Sequence, residues 1–306
     1  MIFKSARIYR LTTALTISAE ELEKQLAEYA FTPCESFQLS SFGWIEPLGK
    51  HGKLLAHHAN GRIMFTACKE ERLLPAGVIR DVVEQEVELI ETEQARRVFA
   101  TEKRRIKEDV ISRLLPQAFA KRRKIYGYLD TRSNLLVVES TTLKVAEEFI
   151  QLLRKTLGTL PVIPLITQQS PASVLSHWLL KSSTSPEFIT GDVCVLRDQS
   201  DSQVIMRTKG LDIHSKDFTL YIDAGMQVIR LTLIWNNKVQ FELSEDLGIS
   251  KIRFEDLMKE SQDSTDHDDA AASFDADFVL MTATFNDLFN DLLAVFGGID
   301  ESIAND

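Results

Sequence analysis

The stretch Val78–Leu115 contains neither proline nor glycine. These two residues are the strongest helix breakers, so the stretch predicts either one long helix or two helices with a break between them. Apolar residues recur at helical spacing on both sides of a polar middle, at Val83, Val87 and Ile90 and at Ile106, Val110 and Leu114. Unbroken, about 38 residues would extend roughly 57 Å and project from the body. A break near Arg96 would instead fold the second half back onto the core.

Strand and helix signals alternate on either side of this stretch. Ser18 and Glu21 form a capping box before a helix that Pro33 ends. A second helix is predicted from Thr142 to Leu157. The clearest hairpin joins Gln227–Trp235 to Lys238–Leu243 through a two-residue Asn turn.

We therefore predict an α+β fold of two or three subdomains with mixed or antiparallel sheets and a long helical projection. Residues 1–74 and 120–165 would form a central α+β domain, and residues 75–119 the helical projection. Residues 166–306 would form a C-terminal α+β domain. The acidic stretch 255–277 is predicted to be a loop, followed by a helix that ends at Gly297.

The overall composition is that of a folded protein in a reducing compartment. Apolar residues make up 44% of the 306 residues, and the three cysteines show no zinc-ligand spacing. Lys4, Arg7 and Arg10 interrupt the apolar start, so we expect no secretion signal. The longest apolar runs are too short to cross a bilayer, so we expect a cytoplasmic protein without a membrane partner.

Charge is strongly segregated along the chain. The net charge is −10, but the segment Arg96–Lys124 contains 11 cations and 3 anions, which gives it +8 and leaves −18 for the remainder. Such a concentration of cations can be a solvated helix face or an anion-binding surface.

Signatures of enzymes are missing. Gly43–Lys50 places five residues between its glycines, whereas a phosphate loop needs four, and His51 follows where Ser or Thr should bind magnesium. The sequence has no G-x-S-x-G elbow and no H-E-x-x-H helix. We expect no catalytic residues, no metal site and no cofactor.

Double-stranded DNA is the partner that the basic segment fits best. Each cation that neutralises a phosphate releases counterions, which gives affinity without sequence preference. No recognition-helix or zinc-finger pattern accompanies the cations. The predicted DNA contacts are Arg96, Arg97, Lys103, Arg104, Arg105, Lys107, Arg113, Lys121, Arg122, Arg123 and Lys124.

Two other classes of function stay open at this point. A protein-interaction scaffold would use the long helix and the acidic stretch to bind proteins, and its DNA binding would be incidental. A nuclease would use surface carboxylates with magnesium. Phe119, between a helix end and the basic run, is either a core anchor or an exposed contact for self-association.

Several blocks of the sequence resemble one family from end to end. They are EKQLAEYAFTPC at 23–34, GWIEPLG at 43–49, ANGRI at 59–63, EQARR at 93–97, LLPQAF at 114–119, LRKTLGTLPVIPL at 153–165 and FDADFVLMT at 274–282. The family is the bacterial recombination-associated protein RdgC.

The resemblance implies a homodimer closed into a ring, with duplex DNA passing through a positively lined hole. It also implies nucleoid association and restraint of RecA-promoted strand exchange. By the same resemblance, Leu115, Pro116 and Phe119 belong to the dimer interface, and Lys209 is a second basic DNA contact.

Overall fold

The computed structural model describes residues 2–254 and 270–302. Its strands are β1 (Ser5–Leu11), β2 (Ser40–Ile45), β3 (Ala56–Ala59), β4 (Arg62–Leu73), β5 (Phe119–Asp130), β6 (Leu135–Val138), β7 (Val162–Pro164), β8 (Phe188–Asp198), β9 (Ile205–Lys209), β10 (Met226–Trp235), β11 (Val239–Ser244) and β12 (Ile249–Phe254). Its helices are α1 (Ala19–Glu28), α2 (Ala76–Gln94), α3 (Ala100–Leu114), α4 (Leu143–Leu157), α5 (Pro171–Lys181), α6 (Lys216–Asp223) and α7 (Ala270–Val295).

All the strands join one antiparallel sheet with the order β2-β4-β5-β6-β1-β12-β11-β10-β8-β9. Strand β3 pairs with β4, and β7 pairs with β1. The two halves of the sheet meet at β1, where Ser5 and Ala6 pair with β12 and Arg7–Arg10 pair with β6. The prediction of an α+β fold is therefore confirmed for the single chain, whose strands form one large antiparallel sheet.

The helical stretch is two helices, not one. Ala95 has a φ of 49°, a left-handed conformation that ends α2. Helix α3 then runs back along α2, and Val83, Ile106 and Val110 form a small apolar cluster between the two. The break near Arg96 is confirmed, but α3 folds back onto α2 and not onto the main core. The antiparallel pair α2–α3, called here the helical hairpin, is inserted between β4 and β5.

Two larger cores lie on opposite faces of the sheet. Met64 and Phe65 are neighbours in β4, so their side chains point to opposite faces. Met64 belongs to the larger core, which α5, α6 and α7 cover, and Phe65 belongs to the smaller core, which α1 and α4 cover. In α4, Phe149, Leu152 and Leu153 are buried, as their spacing predicts.

Helix α7 is the one described helix that is long and apolar enough to cross a membrane by length and composition. Its residues Phe278, Met281, Phe285 and Leu288 are buried in the larger core. The burial of these four residues is that of a helix in a protein core.

The predicted loop 255–277 is corrected in part. Residues 255–269 lie outside the described residues, but 270–277 belong to α7. The start of α7 packs against His57 of β3, whose Nε2 lies 3.0 Å from Asp275 Oδ1 and whose ring packs edge-on against Phe274 and Phe278. The division into three domains remains a prediction.

Candidate nucleic-acid interface

The helical hairpin stands at one end of the longest strand pair in the sheet. Strands β4 and β5 pair residue by residue from Arg62 with Asp130 to Leu73 with Phe119. Helix α2 begins three residues after β4 ends, and α3 leads through a short 3-10 turn into β5. The pair of strands therefore connects the sheet to the cation-bearing helices.

The run Lys121–Lys124 is part of strand β5, which divides its cations between two faces. Successive side chains of a strand point to opposite sides. Lys121 and Arg123 lie on the face that α4 covers, and Arg122 and Lys124 lie on the opposite face. The four cations of this run therefore do not share one face of the strand.

The side chain of Arg122 is 57% exposed but pairs with a buried carboxylate. Its Nε donates to Glu70 Oε2 at 2.5 Å, and its guanidinium lies 5.5 Å from the ring centroid of Phe31. Glu70 is 3% exposed and also accepts the backbone N–H of Cys34 at 2.7 Å. The bonds from Arg122 and from the Cys34 backbone hold the pKa of Glu70 below its usual value. Arg122 thus neutralises a buried carboxylate.

Arg123 is held in a different way, at the edge of α4. Its Nη2 donates to Glu148 Oε2 at 3.0 Å, and Lys69 Nζ donates to the same carboxylate at 3.0 and 3.1 Å. Lys69 also pairs with Glu71 at 2.9 Å. Burial lowers the pKa of Lys69, but the bonds to Glu71 and Glu148 outweigh it and raise the pKa overall. Glu148 therefore has two cationic partners.

Helix α3 presents three cations along one groove. Lys103, Arg104 and Lys107 line it together with Arg80 of α2, above a floor that includes Ile79 and Val83. The groove has a volume of about 430 Å³. Four cations are among its lining residues, and two of them, Arg80 and Arg104, form only weak exposed pairs with Asp81 and Glu108. This excess of positive charge favours an anion.

Arg105 does not belong to this groove. It lies about 160° around α3 from Lys103, and it is exposed. Arg104 is 3.7 Å from Glu108 one turn away, and both side chains are largely exposed. Such a solvent-exposed pair is weak, so Arg104 is free to exchange Glu108 for a phosphate.

The remaining cations of the segment lie at the two ends of α3. Arg96, in the turn between the helices, makes two hydrogen bonds to the Glu102 carboxylate at 2.6 and 2.7 Å. Arg113 pairs with Glu86 of α2 and so links the two helices. Arg97 is exposed in the same turn as Arg96.

The eleven cations thus fall into two groups. Five have a carboxylate partner within 4.0 Å, namely Arg96, Arg104, Arg113, Arg122 and Arg123. Within residues 2–254 and 270–302, the other six form no ion pair and all are exposed, namely Arg97, Lys103, Arg105, Lys107, Lys121 and Lys124. Sequence reasoning missed Glu70 and Glu148, which pair with β5 across 52 and 25 positions of the chain.

Lys209 and the predicted interface residues lie at separate places. Lys209 ends β9, the edge strand of the other half of the sheet, and is exposed. Phe119 is 85% exposed, so the alternative of a core anchor is excluded in the single chain. Pro116 is exposed, but Leu115 is 3% exposed and already buried inside the protomer.

Reactive groups are few in the described part of the chain. Within residues 2–254 and 270–302, there is no group of three or more His, Cys, Asp or Glu side chains placed to hold a metal ion. The three thiols are buried. Burial raises the pKa of each thiol, to about 12 for Cys194.

The fold and its charges define a class: an antiparallel α+β protein that presents exposed cations on an inserted helical hairpin and on the strand that follows it. The family described as "Putative exonuclease, RdgC" matches residues 1–299. The chain belongs to the RdgC family.

Relatives of similar length share this assignment. Proteins named recombination-associated protein RdgC are 36% identical in Yersinia enterocolitica, 37% in Psychromonas ingrahamii and 38% in Proteus mirabilis. Each alignment covers 97% of this chain and 98–99% of the relative. The resemblance found in the sequence is confirmed, and the chain is a member of a recombination-associated family.

Proposed function

We propose that this protein binds double-stranded DNA without sequence preference, as a ring-shaped homodimer that restrains RecA-promoted recombination. The observation that carries the proposal is the set of six exposed cations on the helical hairpin and β5 that form no ion pair with any residue the structure describes, in a chain whose net charge is −10. Their release of counterions from phosphates would supply the affinity. The name of the relatives, recombination-associated protein, supports a role on DNA.

Self-association would use the exposed apolar side chains near the hairpin. Phe119 is 85% exposed and Phe99 is 73% exposed, and large exposed aromatic side chains concentrate at the centres of interfaces. A two-fold axis would bring the same patch of two copies together. Pro116 and Phe119 are the proposed contacts of this interface.

The proposed mechanism is occupancy without chemistry. A closed ring on duplex DNA would obstruct the recombinase filament or the pairing of homologous strands. The −18 outside the basic segment would repel DNA from the outer body and restrict the contact to the cationic side. Such a protein would reside in the cytoplasm, on the nucleoid.

DNA topology tests the ring directly. Co-sedimentation is measured with one plasmid in two forms, linear and covalently closed, first at low salt and then after a step to high salt. A closed ring should slide off the ends of the linear form and remain on the closed circle. Equal release from both forms would contradict the ring, and no binding to either form at low salt would contradict DNA binding itself.

A nuclease is the second candidate, because the family description includes the word exonuclease. End-labelled duplex incubated with the protein and magnesium distinguishes the two. Progressive shortening of the label, absent from a chelator control, would support the nuclease. Intact label together with retarded duplex supports the binding protein.

A further inference from the structure

Two neighbouring arginines of β5 are paired with carboxylates whose surroundings differ sharply. Glu70, the partner of Arg122, is 3% exposed, and its only cationic partner within the described residues is Arg122. The removal of Arg122 from Glu70 would leave a buried charge without a counter-charge, which is strongly unfavourable. We therefore expect Arg122 to stay paired with Glu70 in the folded protein.

Glu148, the partner of Arg123, has a second cationic partner and would not be left alone if Arg123 moved away. Its side chain is 22% exposed and already accepts two hydrogen bonds from Lys69. Lys69 is 15% exposed and is shared between Glu148 and Glu71. If Arg123 leaves, Glu148 keeps its bonds to Lys69, and Glu71, whose side chain is 50% exposed, can be solvated by water.

The guanidinium of Arg123 uses only part of its hydrogen-bonding capacity in the free protein. Its Nη2 bonds to Glu148, but its Nε is buried and makes no hydrogen bond. Its side chain is 39% exposed, so the guanidinium stands at the boundary between α4 and solvent. Lys121, two residues earlier, lies on the same face of β5 and is exposed without an ion pair in the described chain.

We propose that Glu148 is an internal competitor for DNA: it holds Arg123 against α4 in the free protein and yields it to a backbone phosphate. The inference rests on the proposed DNA binding and adds a regulation of it. It makes Glu148 a positioning residue that lowers the affinity, and it places the duplex on the face of β5 that carries Lys121 and Arg123.

The test measures duplex affinity by fluorescence anisotropy over a range of salt concentrations. Glu148→Gln should raise the affinity about three- to tenfold at moderate salt, because Arg123 no longer has to leave a carboxylate when it meets a phosphate. The slope of log K against log salt should stay near the parent value, because the number of phosphate contacts in the complex is the same. Glu147→Gln is the matched control, because Glu147 is exposed on the same helix and forms no ion pair in the described residues. It removes the same charge and should raise the affinity much less than Glu148→Gln does.

Two further variants separate Arg123 from a general charge effect. Glu148→Asp keeps the net charge but has a side chain one methylene shorter. Its carboxylate should reach Arg123 less well, so this variant should also raise the affinity. In an Arg123→Met background, Glu148→Gln should give no gain. Thermal unfolding of each variant checks that it is folded.

The outcomes distinguish this inference from the proposed function. If the unchanged protein does not bind duplex, the proposed function fails and the inference fails with it. If the protein binds but Glu148→Gln and Glu147→Gln behave alike, or the gain persists without Arg123, only the competition by Glu148 is overturned.

Discussion

Arg62 and Asp130 form a buried ion pair of 2.7 Å at the end of the β4–β5 ladder that lies away from the helical hairpin. Both side chains are less than 8% exposed. Asp130 also accepts the backbone N–H groups of Arg132 and Ser133, so it fixes the turn into β6. The pair anchors the strands that position the cations at the other end.

Loss of this anchor should cost more stability than loss of a surface pair. Asp130→Ala leaves Arg62 buried without a partner, and we expect the free energy of unfolding to fall by about 3–5 kcal/mol. Asp81→Ala, which removes a 3.6 Å pair between exposed side chains, should change it by less than about 0.5 kcal/mol. Urea unfolding of the two variants gives the comparison, and similar losses would contradict the anchoring role.

The left-handed Ala95 gives a test of the break between α2 and α3. Because a side chain in this conformation costs roughly 1–2 kcal/mol, Ala95→Gly should stabilise the protein by up to about 1 kcal/mol. In the interior of a continuous helix, the same change would destabilise by about 1 kcal/mol. Chemical unfolding therefore distinguishes the two structures by the sign of the change.

Glu70 should make stability depend on pH in a defined direction. Its pKa in the folded protein is lower than the ordinary value of 4.5, with the Arg122 side chain as the largest cause. The resulting stabilisation is present above the ordinary pKa and is lost as the pH falls through the folded value. Between pH 6 and pH 3, the free energy of unfolding should fall more for the parent than for Glu70→Gln. Parallel losses would show that the carboxylate is not stabilised in the folded state.

Phe119 should control self-association without affecting the fold. Its side chain is 85% exposed, so Phe119→Ala should change the stability by less than about 0.5 kcal/mol. Sedimentation velocity should show a shift from dimer towards monomer. Leu220→Ala is the control, since Leu220 is 62% exposed and belongs to α6, which packs against β10 in the other half of the sheet. An unchanged dimer for Phe119→Ala, or the same shift for both variants, would remove Phe119 from the interface.

The two faces of β5 should contribute unequally to DNA binding. If the duplex lies on the face of Lys121 and Arg123, Lys121→Met should weaken binding severalfold at moderate salt. Lys124→Met removes the same charge from the opposite face and should have a smaller effect. Anisotropy titrations with one duplex measure both. A larger effect of Lys124→Met would place the DNA on the other face.

Local signals in the sequence predicted the elements that depend on local interactions. Ser18 Oγ accepts the N–H of Glu21 as a helix cap should. Asn236 and Asn237 both have positive φ, as the two-residue turn between β10 and β11 requires. In each case a short-range geometric need selects the residue type, so the pattern is readable without the fold.

The ends of β4 and β5 could not be predicted in the same way. Both strands extend beyond their apolar parts into polar residues, from Lys69 to Leu73 and from Phe119 to Lys124. These residues pair because the two strands continue towards the helical hairpin, and not because they cover a core. The division of the cations between two faces, and their pairing with Glu70 and Glu148, follow from that extension and were therefore missed.

The central claim is that exposed cations of the helical hairpin bind the phosphate backbone of DNA. The salt dependence of duplex binding tests this claim most directly. Lys103 and Lys107 line the same groove, and both are exposed. In Lys103→Met/Lys107→Met, the slope of log K against log salt should become shallower by about 1.8, equally for duplexes of different sequence. Lys50→Met/Lys53→Met, which removes two exposed lysines elsewhere, should keep the parent slope. A slope and affinity that are the same in the hairpin variant as in the parent would contradict the account.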